Sequence, residues 1–180
     1  YPLEKIKEVS KKWRRIGLGF TALGDTLAML KLRYGESSAN MFCERLGQVL
    51  RDASYISSVK LAKEKGKFPS YDKKVLQSKF IKQLPKVIIN EIKKYGLRNI
   101  ALNTVAPTGT TSIVFGNNCS SGIEPIFSLE YDRTIKIEDK PVVQKVINNA
   151  WMEYQLKSTI EKKDSGEFEL VDKEIKKPEY

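Results

Sequence analysis

The chain has 180 residues, 41% hydrophobic and 30% charged, which is one domain's worth of material with enough apolar side chain for a core. Thirty-two Lys and Arg face 22 Asp and Glu for a formal charge of +10, there is no histidine, and the two cysteines, Cys43 and Cys119, lie far apart. These counts exclude a disulfide scaffold, a zinc knuckle, a CxxC redox pair and any Ser-His or Cys-His machine within the chain. No run approaches the ~18 apolar residues of a membrane span and no leader-like apolar block opens the chain, so the expectation is a soluble, cytoplasmic protein with no membrane partner.

Leu3, Ile6, Val9 and Trp13 recur at three and four, predicting a short helix that ends near Arg14. RIGLGF, residues 15–20, reads as a buried strand, and a helix restarts near Thr21 and runs to about Leu32. From Glu36 to Lys65, Phe42, Leu46, Val49, Ala53 and Ile56 mark the buried stripe of a long helix stopped by Gly66. Pro69 and Ser70 mark a loop, and a helix from Pro85 to Tyr95 is closed by Gly96. Asn99 to Ala106 reads as a strand, 107–112 as a turn and 113–118 as a short helical segment. Ile126 to Ile135 reads as a strand and Val142 to Leu156 as a helix, on the spacing of Val142, Val143, Val146, Ile147, Ala150, Trp151 and Tyr154. The last 20 residues hold 12 charged side chains, so 161–180 is expected to be a solvated hairpin, tail or linker after a domain covering 1–160.

Chemistry concentrates in Pro107-Thr108-Gly109-Thr110-Thr111-Ser112. A strand ending in small residues that enter a helix points unpaired N–H groups at one spot, where the helix dipole favours negative charge. Gly109 allows close backbone approach, and the hydroxyls of Thr108, Thr110, Thr111 and Ser112 can donate to phosphate oxygens. An N-cap and turn with surplus hydroxyls is the alternative. The turn lacks the Lys of a GxxxxGK[ST] loop, and Gly17, Gly19 and Gly24 miss the GxGxxG spacing, which leaves close strand-to-helix packing as their use. Glu124, Glu130 and Asp132 are carboxylates in or beside strands, of a kind that is ordinarily turn or surface. Cys43, Met29 and Met41 read as apolar filler on helix faces, and Cys119 as a loop thiol with no cation near it to lower its pKa.

Four blocks, RRIGLGFTALGD (14–25), LAKEKGKFPSYD (61–72), GLRNIALNTVAPTGTTS (96–112) and SSGIEPIFSLEYDR (120–133), in this order and spacing resemble the catalytic subunit of ribonucleotide reductase, from about Tyr1 to Arg133. APTGTTS followed by SSGIEP is most similar to the adenosylcobalamin-dependent class. The resemblance implies an α/β fold, with this chain a helix-rich portion of the second half of a ten-stranded α/β barrel. It implies that Pro107 to Ser112 hold the substrate's phosphates, that adenosylcobalamin is the cofactor, and that a cobalamin-generated thiyl radical abstracts the ribose 3′-hydrogen before the 2′-hydroxyl is lost. The radical-bearing Asn-x-Cys-x-Glu segment and the C-terminal redox cysteines of that family match nothing here. No catalytic residue is therefore assigned, and this segment by itself is expected to be inactive. Implied partners are a ribonucleotide, the remainder of a reductase chain and a second copy in a homodimer. A basic, non-enzymatic module that binds nucleic acid or a partner through its lysine-rich helices is the alternative; it lacks the aromatic interleaving of single-strand binders.

Overall fold

The computed structural model describes residues 1–115, 118–149, 151–152, 161–162 and 168–169. The chain divides into two compact units, residues 1–19 with 42–105 and residues 20–41 with 106–180. Its elements in order are α1 (Glu4–Trp13), α2 (Leu23–Met29), α3 (Ser37–Lys65), 3₁₀ turns at Lys73–Gln77 and Ile81–Gln83, α4 (Lys86–Tyr95), α5 (Gly109–Phe115), β1 (Glu130–Ile137), β2 (Lys140–Ile147), β3 (Glu161–Lys162) and β4 (Phe168–Glu169). The fold is mixed and helix-rich.

In the first unit, α1 ends at Arg14, whose φ of 50° turns the chain out of the helix. Its stripe of Leu3, Ile6 and Val9 is exposed, while Trp13 packs near the Phe68 ring at 6.2 Å. The core comprises Tyr55, Val59, Phe68, Ile81, Leu84, Ile88, Ile92, Leu97 and Leu102. The start of α4 and its end at Gly96, φ 74°, fall where the spacing puts them.

Helix α3 has the expected length but buries a different face. Tyr55, Val59 and Ala62 are buried together with Ser54 and Ser58; Phe42 and Leu46 are half-buried, and Val49, Ala53 and Ile56 are exposed. Asparagines make the serine face buriable. Ser58 Oγ donates to Asn99 Oδ1 at 3.0 Å and accepts the N–H groups of Arg98 and Asn99, while the single proton of Ser54 Oγ is shared between Arg51 O at 2.8 Å and Asn103 Oδ1 at 3.1 Å. A buried hydroxyl that is fully bonded carries no desolvation penalty, so polar residues can occupy the inward stripe. Met41, expected as filler, is likewise exposed, and Cys43 is half-buried.

The two strands expected at 15–20 and 99–106 reduce to one parallel bridge, Leu18 with Asn103. Ile16 N–H donates to Ala101 O at 3.1 Å, Leu18 N–H to Leu102 O at 2.7 Å and Thr104 N–H to Leu18 O at 2.9 Å. Nor is the first segment buried, since Ile16 and Leu18 are exposed. Glycine decides how close the two segments lie: a Cβ on Gly17 would stand 2.7 Å from Thr104 Cγ2, and one on Gly19 2.5 Å from Thr104 O. These glycines serve strand-to-strand approach rather than helix packing.

In the second unit, α2 is shorter than expected; Lys31, with φ 58°, ends that segment before Leu32, and Met29 is exposed. Gly24 does pack closely, its missing Cβ leaving room for Glu124 O at 2.8 Å and Ser120 Cβ at 3.0 Å. Helix α5 begins at Gly109, inside the expected turn and four residues ahead of the expected helix. The helix expected from Val142 is instead β2, paired antiparallel with β1 from Glu130↔Ile147 to Ile137↔Lys140. Glu138 and Asp139, φ 49° and 61°, form the two-residue turn, a twist-matched hairpin loop built without glycine. The strand expected at 126–135 is present from Glu130 to Ile137, starting four residues and ending two residues later. Val146 and Asn148 are buried and Gln144 half-buried, so the inward period of two includes polar side chains and imitates a helical repeat among the valines. Backbone at 149 and 151–152 is helical. Within 161–180, β3 and β4 pair antiparallel; the rest of that segment lies outside the described residues.

Candidate functional site

The turn and α5 lie wholly within the second unit. Thr108 precedes the helix with φ 51°, and its hydroxyl donates to Ser121 O at 2.6 Å. Ser112 is fully buried; its N–H donates to Thr108 O at 2.8 Å and its hydroxyl to Gly109 O at 2.9 Å. Those two hydroxyls are occupied inside the protein. Pro107, Gly109, Thr110 and Thr111 are exposed. The N–H groups of Gly109, Thr110 and Thr111 have no partner among the described residues, as the first turn of a helix requires unless something caps it. A Cβ on Gly109 would meet nothing within 4 Å, and its φ is not positive, so neither packing nor backbone conformation calls for glycine there.

The loop after α5 is pinned against this turn. Gly122 is buried, and a Cβ there would stand 3.0 Å from Ala106 O and 3.3 Å from Thr108 Oγ1. The Glu124 carboxylate accepts the N–H of Ser121 and, at 2.8 Å, that of Gly122, while Ser120 Oγ donates to Glu124 O at 2.7 Å. Partial burial raises the pKa of Glu124, but the N–H groups of Glu124 itself, Gly122 and Ser121 outweigh it, holding the carboxyl below its ordinary value. Glu124 is a loop-closing anion. Glu130 is held by Lys145 Nζ at 2.5 Å and by Trp151 Nε1 at 3.4 Å, and Asp132 is exposed on β1.

Residue-level expectation missed the hub beneath. Asp25 on α2 is buried; its Oδ1 accepts the N–H of Cys119 at 3.2 Å and Asn148 Nδ2 at 2.7 Å, and its Oδ2 accepts the N–H of Ser120 at 2.6 Å. The one available signal was an acid in the middle of the apolar run ALGDTLAML. Cys119 is buried, and burial followed by the Asp25 charge pushes its thiol up to about 12. A cation does stand near it, contrary to expectation: Arg133, whose Nη2 donates to Asn118 O at 3.2 Å, pulls the other way without prevailing.

The second unit thus holds a helix start whose first N–H groups have no partner among the described residues, beside a loop closed by the Glu124 carboxylate, in a mixed fold of helices and strands. The chain belongs to the ribonucleotide reductase barrel domain family, which it matches over residues 1–177. It is similar to the vitamin B12-dependent ribonucleoside-diphosphate reductases of Thermoplasma acidophilum, 36% identical over 135 residues, and Mycobacterium tuberculosis (strain H37Rv), 33% identical over 135 residues. Each match covers 75% of this chain and 16% or 17% of the relative. The ribonucleoside-diphosphate reductase large chain of Encephalitozoon cuniculi is 26% identical over 176 residues, 89% of this chain and 23% of that protein. The chain thus spans less than a quarter of these relatives' length. The family match continues past Arg133, where the motif resemblance stops, through the β1–β2 hairpin. It does not favour a non-enzymatic nucleic-acid module.

Proposed function

We propose that this chain is part of a ribonucleotide reductase catalytic subunit, of the adenosylcobalamin-dependent class, that converts ribonucleoside diphosphates to deoxyribonucleotides by radical chemistry, with residues Pro107 to Ser112 anchoring the substrate's phosphates. The observation that carries the site is the start of α5, where three N–H groups without a partner among the described residues stand beside an exposed glycine that the packing around it does not require. Phosphate oxygens accept such N–H groups, and the Thr110 and Thr111 hydroxyls add donors without charge. Thr108 and Ser112 act as supports, fixing the turn through Ser121 O and Gly109 O. The share of this chain in the reaction is to hold the substrate so that its ribose meets the radical in one orientation.

The names of the B12-dependent relatives support the cofactor class and the diphosphate substrate. No motif, and no site geometry among the described residues, assigns a residue of this chain to cobalamin. The cofactor therefore belongs to the proposed whole subunit. The ten-stranded barrel, the remainder of the reductase chain, a homodimer and a cytoplasmic location come with the same proposal, supported by the family match. None of the described helices is long and apolar enough to cross a membrane.

Substrate binding to the whole subunit tests the site. Thr110→Val removes one hydroxyl at nearly constant shape and is expected to weaken ribonucleoside diphosphate binding by about 0.5 to 3 kcal/mol. Gly109→Val fills the open space and is expected to weaken it further with the melting temperature preserved. Unchanged binding by both folded variants would leave only the capping role for the turn.

A further inference from the structure

A cluster of cations stands in the first unit, apart from the residues discussed above. Lys63 on α3, Lys94 on α4 and Lys67 between them line a cleft of about 660 Å³ together with Tyr71 and Tyr95. The Lys63 and Lys94 ammonium groups lie 4.9 and 5.0 Å from the centre of the Tyr95 ring, and Lys67 lies 5.0 Å from that of Tyr71. No carboxylate lines the cleft, and none of the three lysines forms an ion pair among the described residues. Glu91, one turn back on α4, is the acid whose field reaches Lys94 and Tyr95.

The cations are also placed by the fold. The Lys67 stem crosses Gly96 so closely that a Cβ there would stand 2.7 Å from Lys67 Cδ, and Gly96 is held at φ 74°. Arg98 Nη1 donates to Lys65 O at 2.6 Å and Gly66 O at 3.0 Å, and Arg14 Nη1 to Lys67 O at 3.2 Å, so two guanidinium groups fix the segment that carries Lys67 and add to its positive field. Tyrosine faces attract ammonium groups without neutralising them. The cluster is thus held together while its charge remains available.

We infer that this cleft binds a small oligophosphate anion, free or as the tail of a nucleotide, through Lys63, Lys67 and Lys94. Its volume suits a small molecule rather than a protein segment. Three ammonium groups without carboxylate partners match a chain of phosphates, to which lysine binds as a point charge. The Tyr95 ring, with the Lys94 ammonium 5.0 Å from its centre, keeps that ammonium at the cleft edge. The inference is independent of the proposed turn site.

Calorimetric titration of the purified protein with tripolyphosphate, ATP and adenosine at low ionic strength tests it. Tripolyphosphate and ATP are expected to bind this site one to one, and adenosine alone not to bind it. Equal affinities assign the free phosphate chain, whereas tighter ATP assigns a nucleotide. Lys67→Gln and Lys94→Gln should each weaken binding at least about fivefold, whereas Lys5→Gln and Lys11→Gln on α1 should leave it unchanged. Circular dichroism melts separate lost binding from lost fold; if Lys67→Gln unfolds, Lys94→Gln decides. Absent binding, or equal weakening by the α1 substitutions, overturns the site as diffuse charge attraction.

Discussion

At Cys119 the environment decides what a side chain can do. A loop thiol between asparagine and serine looks reactive in isolation, yet burial and the Asp25 carboxylate push it up to about 12. At pH 8 almost none of it is thiolate, whereas an ordinary thiol near 8.5 is about a quarter ionised. Alkylation by iodoacetamide at pH 8, followed by mass spectrometry, is therefore expected to run at least about a thousandfold slower at Cys119 in the native protein than in urea. Comparable rates would mean that the loop opens freely and the Asp25 hub does not hold it. Because the thiol releases its proton only near pH 12, raising the pH from 7 to 9 should leave Cys119 slow.

Among the elements, α3 separates periodicity from burial. Val59 is 3% exposed in the core cluster and Val49 is 50% exposed on the same helix. Val59→Ala should cost about 1.5 to 3 kcal/mol in urea unfolding, and Val49→Ala less than about 0.5 kcal/mol. The reverse order would restore the face predicted from the apolar spacing. That spacing misleads because α3 carries apolar residues on more than one side, and the side that wins is the one whose serines find Asn99 and Asn103. The β1–β2 hairpin misleads differently: Glu138-Asp139 carries no glycine to announce a turn, and Gln144 and Asn148 interrupt the alternation that would announce a strand.

At the scale of the whole molecule, large apolar side chains stand exposed as a group on α1: Leu3, Ile6 and Val9. Apolar surface grouped in this way associates in water. The isolated chain is expected to self-associate with rising concentration in sedimentation velocity, and Leu3→Ser with Ile6→Ser to reduce that association. A monomer at every concentration would show that this face needs no cover. The +10 charge opposes close approach, so added salt should strengthen the association by screening it.

The sequence by itself determined the family, through four ordered blocks, and the positions of α1, α3 and α4, because apolar spacing, Gly66 and Gly96 are local signals read within one or two turns. It also pointed to Pro107 to Ser112 as a turn with open N–H groups, since strand, small residues and helix follow one another along the chain; the N–H groups without a partner among the described residues are those of Gly109, Thr110 and Thr111, whereas Ser112 N–H is taken by Thr108 O. The tertiary structure alone decided which hydroxyls remain open: Ser121 O takes Thr108, and the Ser112 hydroxyl turns inward to Gly109 O. It also decided that Asp25 gathers Cys119, Ser120 and Asn148. Those partners are up to 123 positions apart. Hydrogen bonds across such separations leave no periodic trace, because each requires only one donor and one acceptor brought together by everything folded between them.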